Sequence, residues 1–226
     1  MNRLLIIFCL FLTSFCLSSC ETGSSGSLPS AFGGTGELLV VMHDYLWKGA
    51  SGDSIRKYLT EPVWGLTTAE PVLELTQKNS LTQFMRKFRN ILIVNVDAGL
   101  ENSNLRVRNN VYANNQVVFN LDAPSPDSIV SIVQRNKDII TSLILTKGRD
   151  AIISDYTKII EKSIVEQVKE KFMIDIVIPR PYVLDEDREN FAWIAREEGE
   201  KNWHILLWEE PYLRTSQLET TVCFSV

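Results

Sequence analysis

Residues 37–43, Glu37-Leu38-Leu39-Val40-Val41-Met42-His43, decide the fold. The run from Leu38 to Met42 is apolar without a break and has the length of one strand. A half-exposed strand alternates apolar and polar side chains, and this one does not. It therefore reads as a central strand buried on both faces, around which the rest of the domain is assembled.

Downstream, residues 51–60 carry cap residues at Ser51 or Asp53 and apolar Ile55, Tyr58 and Leu59, which predicts a short helix. Pro62 and Gly65 end it. Residues 71–76 alternate as a strand does. Ser80-Leu81-Thr82-Gln83 fits a capping box and predicts a helix through Phe88. Residues 90–96 form the second strong strand, and 97–104 a polar turn. Residues 105–112 and 116–122 predict two more strands, joined by Ala113-Asn114-Asn115.

A long helical region starts at Asp127. Its second half repeats Ile152, Tyr156, Ile159 or Ile160, Ile164, Val168 and Phe172 at three- and four-residue steps, with charged residues opposite. Gly148 predicts a break. Residues 174–179 read as a strand, and 190–196 with 203–208 as a hairpin around 197–202, with Gly199 in the turn. The class is α+β: a mixed, mostly antiparallel sheet with helices packed on it, in a domain spanning 37–226.

Upstream, Arg3 precedes an uncharged apolar run over residues 4–17. The run is shorter than the roughly 20 residues a spanning helix needs. It has the form of a secretion signal. Leu17-Ser18-Ser19-Cys20 resembles a bacterial lipobox, so residues 1–19 read as a lipoprotein signal peptide and Cys20 as a lipidated N-terminus. Each buried acyl methylene contributes about 0.8 kcal/mol of membrane affinity, and several chains anchor where one dissociates. Residues 20–36 then form a Gly- and Ser-rich tether. Only Glu21 is acidic there, which favours the outer membrane with the body facing the periplasm.

Cys9 and Cys16 lie in the signal, and Cys20 is acylated. That leaves Cys223, so the mature chain carries no internal disulfide. The chain has 226 residues, with 45% hydrophobic and 23% charged, as globular proteins do. Without Arg3 the 23 basic residues become 22, against 28 acidic ones, and no basic patch is present. Nucleic acid is therefore not expected as a partner.

Several short matches also point to a family. They are Cys20, Leu28-Pro29-Ser30, residues 36–42, Leu46-Trp47, residues 52–56, Glu70-Pro71, residues 88–91, Ile178-Pro179, Tyr182 and Asn190-Phe191-Ala192-Trp193. Together they resemble the domain-of-unknown-function 4837 family of Gram-negative envelope lipoproteins. The resemblance implies the lipoprotein topology and adds no catalytic residue. Similar members continue into a further sheet-forming, Gly-rich portion, so it also implies a shortened C-terminus, where the chain stops after Thr220-Thr221-Val222-Cys223-Phe224-Ser225-Val226.

Four patterns bear on chemistry. Ser54-Ile55-Arg56-Lys57 fits Ser-x-x-Lys, the nucleophile pattern of penicillin-interacting enzymes, and carries the alternative reading of an envelope hydrolase. Its companions are missing, since Thr146-Lys147-Gly148 reverses the order that pattern needs. His43 and His204 are the only histidines and lack the local spacing of a zinc site. Asp185-Glu186-Asp187 alternates like a calcium loop, but Asn190 and Arg196 stand where Gly and Glu are required. Gly33-Gly34-Thr35-Gly36 precedes a strand, the wrong order for a phosphate loop. No cofactor or metal is expected.

The distinctive cluster is aromatic: Trp193, Trp203 and Trp208, with Phe191 and Tyr212. It is the expected binding surface, for an envelope protein or a glycan. The function expected is thus a lipid-anchored envelope protein acting as a binding or interaction module.

Overall fold

The computed structural model describes residues 27–66 and 68–218. The lipobox, Cys20 and Cys223 lie outside them. β1 (Glu37–Val41) is an interior strand, and Leu38, Leu39 and Val40 are at most 1% exposed. It pairs in parallel with β2 (Glu74–Lys78) on one side and β3 (Asn90–Val96) on the other. β3 pairs in parallel with β5 (Val117–Ala123), and β4 (Asn104–Asn109) lies antiparallel to β5 at the edge. The order is β2-β1-β3-β5-β4.

Both faces of β1 are covered, as its unbroken apolar run requires. Leu38, Val40 and Met42 point toward α2 (Ala50–Leu59) and α3 (Pro126–Thr157). Leu39 and Val41 point the other way, where Leu81, Met85, Phe88, Val111 and Tyr112 pack. A four-residue helix, α1 (Asp44–Trp47), turns the chain from β1 into α2. Gly52 is required at that corner, because a Cβ there would lie 1.9 Å from the Trp47 carbonyl oxygen.

Ser125 caps α3: its hydroxyl accepts from the Ser128 N–H at 3.3 Å, and Pro126 takes the first helical position. Ile129, Ile132, Val133, Ile140 and Ile144 form its buried face. The expected break at Gly148 does not occur. Gly148 is instead a packing position, since a Cβ there would come 2.6 Å from the Thr35 Cβ. The helix ends at Thr157, and the apolar stripe read as continuous is divided between two helices. Ile152 and Ile153 stay exposed on α3, while Ile164 and Val168 are buried on α4 (Lys162–Phe172).

Part of the Gly- and Ser-rich stretch is docked on the first sheet. The Phe32 N–H donates to the Lys87 carbonyl at 3.0 Å, and the Arg89 N–H donates to the Phe32 carbonyl at 2.8 Å. This pairing draws Phe88 into extended backbone. The helix expected over 80–88 is accordingly one 3₁₀ turn, Met85–Lys87.

After α4 comes a second sheet, β6 (Val183–Arg188), β7 (Phe191–Glu198) and β8 (Lys201–Trp208), antiparallel throughout. Ile164, Val168, Ile178 and Ile194 form its core, separate from the cores of the first sheet. The strand expected over 174–179 is only an isolated bridge between Ile160 and Pro179. Ile178 is fully buried without a ladder and Ile176 packs beside it, while Ile174 stays exposed. The class is α+β. Antiparallel pairing occupies the whole second sheet and the β4 edge, and the first sheet is otherwise parallel.

Candidate functional site

β7 and β8 are closed by the two-residue turn Gly199-Glu200, since Glu198 pairs with Lys201. Gly199 has φ +62°, which the first residue of a Gly-first hairpin turn requires. That turn fixes the register, and the register fixes the faces. Phe191 lies opposite Trp208, Trp193 opposite Leu206, and Ala195 opposite His204. These six share one face. Ala192, Ile194, Leu207 and Ile205 share the other, and α4 packs on it.

The first face is open. Trp208 is 65% and Leu206 50% exposed, with Phe191 and Trp193 half-buried beside them. Val183, opposite Ala195 on β6, extends the apolar area. A cleft of about 310 Å³ lined by Pro181, Val183, Asp185, Ala195 and Glu197 indents the same face. The Trp193 Nε1–H donates to His204 Nδ1 at 3.1 Å. An accepting Nδ1 leaves the proton of a neutral imidazole on Nε2, and His204 is exposed. Contiguous exposed aromatic area of this kind marks a contact surface.

The structure thus brings Trp193 and Trp208 together and removes Trp203 from them. Trp203 lies opposite Arg196 on the reverse face, with the guanidinium 5.0 Å from its ring centroid. Counting pairs outward from a two-residue turn at Gly199 separates Trp203 from the other two, and that signal was present in the sequence. Leu206 and Val183 belong to the surface and carry no motif.

The other candidates do not assemble. Ser54 is 5% exposed within the α2–α3 contact, and its hydroxyl has no hydrogen-bond partner among the described residues. Lys57 is exposed, its ammonium 5.1 Å from the Tyr58 ring centroid. His43 stacks on Tyr45 at the end of β1, in a different sheet from His204. The Asp185-Glu186-Asp187 segment, already lacking the Gly and Glu of a calcium loop, is part of strand β6, where Asp187 pairs with Lys171 and Glu186 with Arg188. A bulge between Leu184 and Glu186 interrupts the alternation, and Glu186 stands opposite Trp193 on the open face while Asp187 stands opposite Ala192 on the reverse one. Among the described residues no three His, Cys, Asp or Glu side chains converge as a metal site would require. No described helix is long and apolar enough to cross a membrane.

Residues 31–157, more than half of the chain, match the family model described as Domain of unknown function (DUF8532). The chain belongs to that family. Residues 161–225 match a second model, Domain of unknown function (DUF4837). The resemblance carried by Ile178-Pro179, Tyr182 and Asn190-Phe191-Ala192-Trp193 holds there, and the DUF8532 model takes the residues before it. The two matches meet where α3 ends at Thr157 and α4 begins at Lys162. The open aromatic face therefore belongs to the DUF4837 part. No curated protein matches, and no solved structure matches.

Proposed function

We propose that this chain is a binding module, held at the envelope membrane by a lipid on Cys20, and that a protein partner docks on the open face of the second sheet. The observation that carries the docking reading is the apolar continuity of Phe191, Trp193, Leu206 and Trp208 on one exposed face. Large aromatic side chains supply most of the energy at such contacts. Leu17-Ser18-Ser19-Cys20 carries the anchor, with the outer membrane and a periplasm-facing body as its setting.

A photo-crosslinking residue placed at Leu206 tests the docking. It should capture a defined envelope protein in intact cells, whereas the same residue at Ile153, an exposed position on α3, should not. Equal capture at both positions, or none at Leu206, would remove the surface from consideration. The anchor has its own test. A Cys20→Ala chain should no longer incorporate labelled palmitate, and continued labelling would refute it.

A further inference from the structure

We infer that the chain dimerises through the free edge of β8, which pairs antiparallel with β8 of a second copy and joins the two three-stranded sheets into one. The inference does not rest on a partner at the open face. β8 ends the order β6-β7-β8, with no described strand beyond it. The Glu209 N–H donates to the Asn190 carbonyl at 3.0 Å, in the same register as the β7–β8 pairs. Antiparallel bonds fall on every second pair. Lys201, Trp203, Ile205 and Leu207 therefore direct their backbone groups at β7, while Asn202, His204, Leu206 and Trp208 direct theirs outward. Among the described residues no hydrogen bond reaches the backbone of those four.

The other sheet edges carry devices against such pairing. β2 is five residues long and begins and ends on charge, at Glu74 and Lys78. β4 carries Arg106 and Arg108. β6 has the bulge between Leu184 and Glu186, with charged residues from Asp185 to Arg188. β8 has none of these past Lys201. From Asn202 to Trp208 it holds no Asp, Glu, Lys, Arg or Pro and stays in register with β7 throughout. A long, regular, apolar edge is a template for another strand.

Its own sequence selects the occupant. A two-fold axis at Ile205 sets that residue opposite itself. His204 then faces Leu206 of the second copy, Asn202 faces Trp208, Trp203 faces Leu207, and Lys201 faces Glu209. The outward N–H groups of each copy all meet carbonyls. The two Lys201–Glu209 pairs set opposite charges directly across the new ladder. Among the described residues neither side chain is in an ion pair, so both are available. Sliding the register by two residues either way sets Lys201 against Pro211 or Leu207 and loses both charge pairs. On the reverse face the seam gathers Trp203, Ile205 and Leu207 from both copies, and it covers Trp203, which is 39% exposed in the single chain. The open face keeps Phe191 and Trp193 of each copy clear of the seam.

Sedimentation of the full chain in density-matched detergent, with amide exchange at several protein concentrations, tests this. The chain should dimerise with a dissociation constant below about 100 µM. Lys201→Glu should weaken the dimer by about tenfold, and adding Glu209→Lys to it should restore the affinity. Exchange at the His204 and Leu206 amides should slow as concentration rises. Ile205→Cys in a Cys223→Ser background should form an oxidised dimer, because the facing Cα atoms would lie about 4.5 Å apart, and Leu207→Cys should not. A monomer at about 100 µM would overturn the inference. So would a complex whose mass is not twice that of the chain, or a dimer indifferent to the charge swap. Slow exchange at His204 and Leu206 at every concentration, as residues 219–226 of the same chain would give by covering the edge, would overturn it too.

Discussion

The Trp193 indole and the His204 imidazole meet across β7 and β8 as a hydrogen-bonded, edge-on pair, with Nε1 to Nδ1 at 3.1 Å and ring centroids 5.6 Å apart. They are diagonal neighbours, since Trp193 lies opposite Leu206 and His204 opposite Ala195. The contact ties the half-buried indole to the neighbouring strand on the open face. Trp193→Phe keeps most of the apolar area and loses the donor, so it should cost about 1 kcal/mol or less of stability. Trp208→Ser removes a side chain that is 65% exposed and should change stability by about 0.5 kcal/mol or less. Urea unfolding measures both. Partner capture from Leu206 should nevertheless fall in Trp208→Ser, which separates a contact role from a folding one.

Gln116 is 1% exposed and closes three backbone groups at once. Its amide donates to the Arg86 carbonyl at 2.5 Å and to the Phe88 carbonyl at 2.7 Å, and its oxygen accepts the Tyr112 N–H at 2.9 Å. Gln116→Leu has a similar length and none of these bonds. It should cost at least about 2 kcal/mol, because the stranded groups keep their desolvation penalty. A urea midpoint unchanged from the parent chain would contradict that.

Gly148 and Thr35 form a second testable pair. Alanine in a helix interior is worth about 1 kcal/mol over glycine. Here Gly148→Ala should instead destabilise, by about 1–3 kcal/mol before that gain, because its methyl meets Thr35. In a Thr35→Gly background the clash is relieved, and Gly148→Ala should become neutral or stabilising. A double-mutant cycle in urea reads the coupling directly.

Lys137 on α3 links that helix to the α2–β2 connection, which carries Glu61 and Trp64 and is called the arm below. Its hydrogen bond to Glu61 raises the ammonium above the ordinary 10.5, against a smaller lowering by desolvation, with the charges of Glu61 and Asp138 adding to the rise. A raised value in the folded chain means the contribution is complete below pH 10.5 and is lost as pH climbs through the folded value. The arm should therefore loosen only in strong alkali. The Trp64 indole N–H signal is expected to hold its position from neutral pH to about pH 10 and to move above it. Lys137→Met should show the loosened position at neutral pH.

Asp155 behaves in the opposite sense at the end of α3. The hydrogen bond and charge of Lys158 hold its carboxyl below the ordinary 3.8. Its contribution is present above pH 3.8 and disappears as pH falls through the folded value. The protection factors for amide exchange over the last turn of α3 should fall in that acid window and stay constant there in Asp155→Asn.

Much of the architecture follows from local pattern. The unbroken apolar run of β1, the strong strand at 90–96 and the Gly199 turn each specify their own conformation, because burial on two faces or a positive φ leaves few alternatives. The aromatic candidates were equally visible as residues. Which of them share a face follows from pairing parity counted outward from the Gly199 turn.

Other features exist only in three dimensions. Gly148 looks like a helix break until Thr35, distant in sequence, is seen packed against it. Residues 80–88 carry helical signals, yet Phe32 pairs beside Phe88 and draws it into extended backbone. By itself the sequence determined the α+β class, the central strand and the turn of the aromatic hairpin, because those depend on neighbours along the chain. The tertiary structure decided the parallel order of the first sheet, the separate core under the second, and which surfaces stayed open. Those outcomes depend on long-range pairs competing for the same buried area.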